Sequence, residues 1–471
     1  MRKTKIICTM GPAVDSEEVI KKLILNGMDC ARLNFSHGDQ KEHKVRMDRI
    51  KKVRKELKMP TPILLDTRGP EIRLKNFENE SIIVETGQKF TFSPDDGTLG
   101  NQERVCISYP ELANDLQIGS EILVDDGKVG FDVIEIKGKD VICVAQNGGK
   151  ISNHKGVNIP NVVVNIPFLS KEDRADIAFG VSEDIDYIAA SFVRTAEDVL
   201  ELREFLKSIN GSDIKIISKI ENMQGVQNID AIIEASDAIM VARGDMGVEI
   251  DFTKLPHIQK SIIKKCYLKG KIVITATQML ESMTSNPRPT RAEASDVANA
   301  IYDGTTCIML SGETAAGKYP VEAVKAMKNI ALTTESSIDY ADLFFKNDLN
   351  LGSDVGSAIG NSACTSAYLL NASAIIAVTK KGLTAKTVSA YRPGTSIIAC
   401  CLDEKTYRQL NLNWNVLPLK GTAQASTDAL FSHGVDVAKS TGLLKKDDAV
   451  VIVGGSVAGD AATDVLKIQI I

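Results

Sequence analysis

Eight short apolar runs constrain this chain more than any other feature. They lie at 5–9 (KIICT), 30–35 (CARLNF), 62–66 (PILLD), 187–192 (YIAASF), 215–221 (KIISKIE), 238–245 (AIMVARGD), 271–277 (KIVITAT) and 307–313 (CIMLSGE). Each ends in polar or glycine residues, and most precede a helix-like stretch. Runs this short and continuous suit strands buried on both faces, as in a parallel sheet covered by helices. A strand with its crossover helix takes about 30 residues. Apart from one gap, the spacing fits that repeat. Eight such units predict an α/β protein built on a (β/α)8 TIM barrel.

The gap, residues 67–166, reads differently. SIIVETGQKFTFS, SEILVDD, GFDVIEIKG and KDVICVAQNGG alternate in period two, with the turn signals DDG, KGKD and NGG between them. An antiparallel all-β insertion is expected. It leaves the barrel after the third strand and returns near Pro167, where Ser170 to Asp173 has the form of a helix capping box. At the barrel mouth it is placed to act as a lid. From Thr333 to Ser353 the chain is acidic and polar enough for a linker. Beyond it, AIIAVT (374–379), SIIACC (396–401), NVLPL (415–419) and AVVIVGG (449–455) alternate with helical segments, which predicts a C-terminal α/β domain. The expected domains are 1–68 with 167–340 as the barrel, 69–166 as an inserted, β-barrel-like lid, and 345–471 as the third domain.

Several function classes are disfavoured. The net charge of −5 over 471 residues implies no broad basic surface, so no nucleic-acid partner is expected. No stretch reaches the roughly 18 apolar residues of a membrane span. The apolar run after the basic N-terminus is too short for a signal peptide. Nine scattered cysteines without a C-x-x-C pair fit reduced thiols. A cytoplasmic protein with no membrane partner is expected.

In a (β/α)8 barrel the chemistry sits where strands end. Here those positions carry Thr9; Arg32, Asn34, Ser36 and His37; Asp66 and Thr67; Ser191; Lys219 and Glu221; Arg243, Gly244 and Asp245; Thr275 and Thr277; and Ser311 and Glu313. A purely structural barrel does not need such a set on all eight strands. Glu221 and Asp245 end neighbouring strands. With substrate oxygens and water they would make a Mg²⁺ site; otherwise they are a pair of surface acids. Lys219, two residues before Glu221, would point the same way into the mouth. It could offset charge on a phosphoryl group or an enolate, act as a Schiff base, or simply be solvated. Asn34, Ser36, Asp66 and Thr67 offer oxygens with one formal charge, suited to a monovalent cation or to ordinary loop hydrogen bonds. Arg32, Arg73 and Lys155 are phosphate-ligand types that could equally be solvated. Gly244 permits close backbone approach, so nearby N–H groups could hold a carboxylate. Thr277 could relay a proton or serve the fold alone. His43, His257 and His433 are isolated, and Trp414 reads as packing.

These residues lie in strings that closely resemble the pyruvate kinase family: ICTMGPA (7–13), ARLNFSHG (31–38), LLDTRGPEIR (64–73), HKGVNIP (154–160), ISKIEN (217–222), MVARGDMGVE (240–249), TATQMLESM (275–283), PTRAEASDVANAI (289–301) and LSGETAAGKYP (310–320). They follow the family's order over nearly the whole chain. The resemblance implies phosphoryl transfer between phosphoenolpyruvate and ADP, giving pyruvate and ATP. It implies that Arg32, Lys219, Gly244, Asp245 and Thr277 meet phosphoenolpyruvate or pyruvate, with Lys219, Thr277 and Arg32 catalytic. It places Mg²⁺ (or Mn²⁺) on Glu221 and Asp245, and K⁺ on Asn34, Ser36, Asp66 and Thr67. Glu71 matches the acidic residue of K⁺-dependent members. Asn34, His37, Arg73 and Lys155 would meet the nucleotide. Thr277 with water, backed by Ser311 and Glu313, would relay the final proton.

TKKGLTAK (379–386) resembles the family's sugar-phosphate effector loop, implying a phosphorylated effector on Thr379, Lys380, Lys381, Gly382 and Thr384. Its other reading is a plain polar strand-to-helix connection. GGSVAGDAATDVLKI (454–468) departs from the family's glycine- and threonine-rich closing loop, which leaves the effector's identity open. The chain's end soon afterwards suggests a compact bacterial-type subunit, and the family implies a homotetramer. The rival readings are a Mg²⁺-dependent, enolate-forming aldolase or lyase, and a non-catalytic sensor of phosphorylated metabolites.

Overall fold

All eight apolar runs form strands in the computed structural model, which describes residues 1–347, 349, 351–457 and 463–471. They are β1 (Lys5–Thr9), β2 (Cys30–Asn34), β3 (Ile63–Asp66), β4 (Tyr187–Ala190), β5 (Lys215–Ile220), β6 (Ala238–Ala242), β7 (Ile272–Ala276) and β8 (Cys307–Leu310). They close into a barrel in the order β1-β8-β7-β6-β5-β4-β3-β2, every pair parallel. Alternate side chains enter two different cores. Ile6, Leu65 and Ile216 face the surrounding helices, while Ile7, Leu64 and Ile217 fill the barrel. Burial on both faces is why the runs are continuous rather than alternating.

The insertion forms a seven-stranded sheet and a two-stranded ribbon around Phe90, Phe92 and Phe131. It is not wholly antiparallel. Lys89–Pro94 pairs in parallel with Arg104–Ile107, because residues 95–103 carry the chain back instead of turning it tightly. A short helix, Leu112–Asp115, also interrupts the strands.

Both connections to the barrel are pinned. Ser170 caps the helix Lys171–Ser182 by accepting from Asp173 N. The reciprocal half of the expected capping box is not made. Asp173 Oδ1 instead accepts from the backbone N–H groups of Arg68 (3.1 Å) and Gly69 (3.4 Å), tying the chain's exit to its return. On the returning side, Arg194 donates to the carbonyls of Val164 and Ile166 and is held by Asp198.

The stretch expected to be a linker is largely helical: Pro320–Ser336 runs into it and Tyr340–Asn347 follows. The third domain carries β9 (Ala374–Thr379), β10 (Ile397–Cys401), β11 (Val416–Lys420), β12 (Ala449–Gly454) and β13 (Val465–Ile470), in the order β11-β10-β9-β12-β13. β13 pairs antiparallel with β12 and occupies part of the segment read as a closing loop. As a half-exposed edge strand it lacks the apolar run that marks the others. The rest of that loop, residues 458–462, lies outside the described residues.

This domain seals the barrel's lower end. Leu412 joins the interior cluster. Tyr187 Oη donates to Gln409 O at 2.6 Å, and Arg408 Nε pairs with the buried Asp186 at 2.7 Å. The upper end, where β1–β8 finish, is left facing the lid.

Candidate active site

Between the barrel mouth and the lid lies a cleft of about 590 Å³. Arg32, Asn34, Ser36, His37, Lys219, Glu221 and Asp245 line it from the barrel, and Glu71, Arg73, Asp125 and Lys155 from the insertion and its connection. Gly244 and Thr277 sit behind this wall.

At its floor is a buried charge cluster. Asp66, fully buried at the end of β3, accepts from Arg32 Nε at 2.6 Å and from Lys219 Nζ at 3.0 Å. Arg32 also donates to Thr9 Oγ1, and Lys219 to Ser191 Oγ at 2.6 Å. Burial alone would push the Asp66 carboxyl up, but the Arg32 and Lys219 charges hold it below the usual carboxylate range. Burial would lower Lys219, yet Asp66, Glu221 and Asp245 lift it well above the ordinary lysine value. An amine held protonated this firmly is a fixed charge and a poor nucleophile, which argues against a Schiff base.

Glu221 is fully buried, which removes its reading as a surface acid. Its Oε2 accepts from Phe192 N at 2.6 Å. Oε1 lies 2.9 Å from Lys219 Nζ, outside hydrogen-bond geometry, and receives no hydrogen bond. Burial pushes this carboxyl up to about 8, against the pull of Lys219 and with the push of Asp245. Its charge is balanced by Lys219, yet no hydrogen bond is made along its lone pairs, which leaves Oε1 a fitting ligand atom for an ion in the cleft. Among the described residues no three His, Cys, Asp or Glu side chains converge. An ion on Glu221 and Asp245 would therefore complete its shell with substrate and water, as Mg²⁺ commonly does. The donor set fits.

On the far side, Asp245 lies in the first turn of the helix Arg243–Glu249, directly after β6. The N–H of Gly244 donates to Thr277 Oγ1 at 2.8 Å, and that hydroxyl donates to Ala276 O at 2.6 Å. Glu313 has both carboxylate oxygens committed, to Leu280 N and Ser311 N. It braces two loops in this state, whereas Ser311 Oγ is buried without a partner.

The cation-ligand set is split by its hydrogen bonds. Asn34 and Asp66 are register partners across β2 and β3. Asn34 Oδ1 accepts from Ser36 N, and Thr67 Oγ1 from Ser191 N. Both cations expected to meet a nucleotide are held by carboxylates. Arg73 is bonded to Glu71, and Lys155 lies 2.9 Å from Asp125. Glu71 is itself raised by burial. His37 lines the cleft, and its carbonyl bonds the ring of His43, which is buried and stacked on Phe35. His43 serves the fold. Trp414 is buried beneath Arg392 and Tyr340.

In the third domain, Thr379 Oγ1 accepts from Gly382 N, with Gly382 at φ +85° opening the helix Leu383–Ala390. Thr384 bonds Thr463, and Lys380 and Lys381 are exposed.

Sequence reasoning missed Phe192, Asp125 and Asp296 and gave Arg243 no role. Phe192 stands at φ +55°, which aims its N–H at Glu221. Nothing in the residue type signals that conformation. Asp296, inside PTRAEASDVANAI, pairs with Arg243 through both carboxylate oxygens.

The family model for the pyruvate kinase barrel domain matches residues 1–324, and that for the pyruvate kinase alpha/beta domain matches 357–469. The pyruvate kinases of Clostridium acetobutylicum (strain ATCC 824) and Clostridium perfringens (strain 13) are each 49% identical over 474 residues, with all of both chains covered. That of Staphylococcus aureus (strain MRSA252) is also 49% identical, with 81% of its length covered. A crystal structure of a pyruvate kinase from Cryptosporidium parvum, 40% identical, matches with a TM-score of 0.93 over 100% of this chain and 96% of that one.

Proposed function

The chain belongs to the pyruvate kinase family, and from that premise we propose how its residues move a phosphoryl group from phosphoenolpyruvate to ADP, giving pyruvate and ATP. The observation that carries the reading is Lys219, buried and protonated between Asp66 and Glu221, beside Arg32, at the floor of the cleft. The lyase and sensor readings fall away with family membership.

The transferring group carries its charge on three oxygens, and catalysis is mostly positioning and charge compensation. ADP's terminal oxygen attacks phosphorus in line, and the bond from phosphorus to the enol oxygen breaks. Lys219 and Arg32, fixed before substrate arrives, offset the charge at no reorganisation cost. The family needs a divalent metal and K⁺. Glu221 and Asp245 would hold the divalent ion, which supplies Lewis-acid stabilisation of oxygen charge. Asn34, Ser36, Asp66 and Thr67 would hold K⁺. Asn34 and His37 would meet the nucleotide, with Arg73 and Lys155 exchanging Glu71 and Asp125 for its phosphates. Gly244 would turn its N–H to the substrate carboxylate. Thr277, with water, would deliver the proton to the methylene carbon.

In this reading 1–68 with 167–340 is the catalytic unit, 69–166 closes over it, and 345–471 takes a phosphorylated effector at Thr379, Lys380, Lys381, Gly382 and Thr384. A homotetramer fits the free edge of β13, where Ile468 and Ile470 are exposed. No helix among the described residues is long and apolar enough to cross a membrane, and a cytoplasmic location is proposed.

The test is pyruvate formation from phosphoenolpyruvate and ADP with Mg²⁺, with and without K⁺. Turnover that needs Mg²⁺ and rises strongly with K⁺ supports the assignments. Turnover indifferent to K⁺ removes the role given to Asn34, Ser36, Asp66 and Thr67. No turnover in folded protein, with both ions and sugar phosphates or AMP added, overturns the mechanism.

A further inference from the structure

Thr277 stands in a backbone conformation that a β-branched residue avoids. Its φ is +68°, and Gln278 after it is at +53°. Two consecutive left-handed residues without a glycine persist only where their surroundings over-determine them, and such places cluster at functional sites. Here the surroundings are one arginine. Arg243 Nε lies 3.2 Å from the carbonyl oxygens of both Ala276 and Thr277, and Nη2 donates to Thr277 O at 2.5 Å. Its Nη1 donates to both oxygens of Asp296, at 2.8 and 2.7 Å, on the helix Arg291–Tyr302. The next residue, Gly244, donates its N–H to Thr277 Oγ1. Two adjacent residues thus grip Thr277 at its backbone and side-chain oxygens, and Arg243 keeps the backbone grip when Gly244 turns its N–H to a substrate; the residue after them is Asp245.

We propose that Asp296 and Arg243 are positioning residues for the proton-transfer half of the reaction, fixing the Thr277 hydroxyl while taking no part in phosphoryl transfer. The proposal rests on the reading of Thr277 as the relay. Among the site residues, the pair's hydrogen bonds reach only Thr277. The cluster of Arg32, Asp66, Lys219 and Glu221 is bonded through β2, β3, β4 and β5 and shares no hydrogen bond with Arg243 or Asp296. In the step concerned, the enol oxygen's electrons form the ketone C=O and the carbon–carbon double bond opens. The methylene carbon takes a proton from the Thr277 hydroxyl, which regains one from water. Enolpyruvate released into water makes the same change unaided, so ATP formation does not require the relay.

The test compares two rates in full-length Asp296→Asn, with Mg²⁺ and K⁺ present. One is ATP formation from phosphoenolpyruvate and ADP. The other is exchange of pyruvate's methyl protons in D₂O, followed by proton NMR with inorganic phosphate present. Small misplacement of a reacting group can cost up to about 100-fold. Exchange is expected to fall at least ~10-fold, with ATP formation falling less than ~3-fold. Arg243→Lys keeps the charge but loses the planar fork, and should reproduce the split. Unchanged exchange, or two rates that fall in parallel, overturns the proposal. Thr277→Ala separates the failures. Normal exchange there removes the relay reading itself, whereas slow exchange there with normal exchange in Asp296→Asn removes only the role of the pair.

Discussion

Replacing Glu221 with Gln should remove a loss of stability that the metal-free protein suffers between pH 5.5 and pH 8, while abolishing turnover. The folded-state carboxyl is pushed up to about 8 from an ordinary 4.5, with burial the largest cause. The unfolded chain therefore releases this proton near 4.5, while the folded chain keeps it until about 8. Between those values the unfolded state binds fewer protons, so stability falls as pH rises. At about 1.4 kcal/mol per pH unit, the group costs the fold about 1 kcal/mol at pH 5.5 and about 4 kcal/mol at pH 8. Gln carries no charge and escapes this cost. Its amide oxygen can still accept from Phe192 N, but its N–H₂ then faces the Lys219 ammonium where Oε1 stood 2.9 Å away, a cost that does not change with pH. Guanidinium unfolding of both proteins in EDTA, at pH 5.5 and pH 8, measures the difference. The stability difference between the two proteins should shift in favour of Gln by about 3 kcal/mol from pH 5.5 to pH 8. Mg²⁺ should then raise the wild-type midpoint at pH 8 and leave the variant's unmoved, because an ion that binds only the folded state stabilises it. A stability difference between the two proteins that does not change with pH would refute the argument.

Lys219→Met should lower kcat by roughly 10²–10³, the loss typical of one preorganised electrostatic group; a coupled assay showing less than a ~3-fold loss contradicts its role. Lys155→Met should raise KM for ADP and leave that for phosphoenolpyruvate nearly unchanged, since Lys155 sits on the lid beside Asp125. Gly11→Ala should destabilise the barrel through overlap alone. Its Cβ would stand 2.5 Å from Ala315 O, a backbone atom that cannot swing aside. A loss of about 1–3 kcal/mol is expected, read as a lower thermal midpoint.

The barrel was legible because its constraint is written locally. Each strand is apolar on both faces, and each ends in a polar residue or is followed at once by one. The parallel pair in the lid was not, since alternation marks a strand but says nothing of its neighbour's direction. Nor was β13, an edge strand whose Lys467 and Gln469 dilute the apolar signal. Among site residues, those with unusual chemistry at strand ends, such as Lys219 and Glu221, could be nominated from type and spacing. Phe192 and Asp296 could not. The first acts through a backbone N–H set by a left-handed φ, and the second through an arginine 53 residues away. Both depend on tertiary geometry that residue identity does not encode.

Each of the four cations nominated for a phosphate in the cleft rests on a carboxylate. Arg32 and Lys219 share Asp66, Arg73 sits on Glu71, and Lys155 on Asp125. Four bare cations in one cleft would repel one another, and the two that are buried, Arg32 and Lys219, would be prohibitively costly unpaired. The two groups differ in what their partners permit. Asp66 is fully buried and held ionised by both its cations, so Arg32 and Lys219 stay fixed whatever binds above them. Arg73 and Lys155 are themselves more than a third exposed, so water can take the place of Glu71 and Asp125, and Asp125 already shares its charge with Lys128. Arg73 and Lys155 can therefore leave their carboxylates for a nucleotide phosphate at lower cost than Arg32 and Lys219 can leave Asp66. In the proposed reading, the cleft would combine a rigid floor for the transferred group with exchangeable walls for the nucleotide, and the insertion would carry the wall that moves.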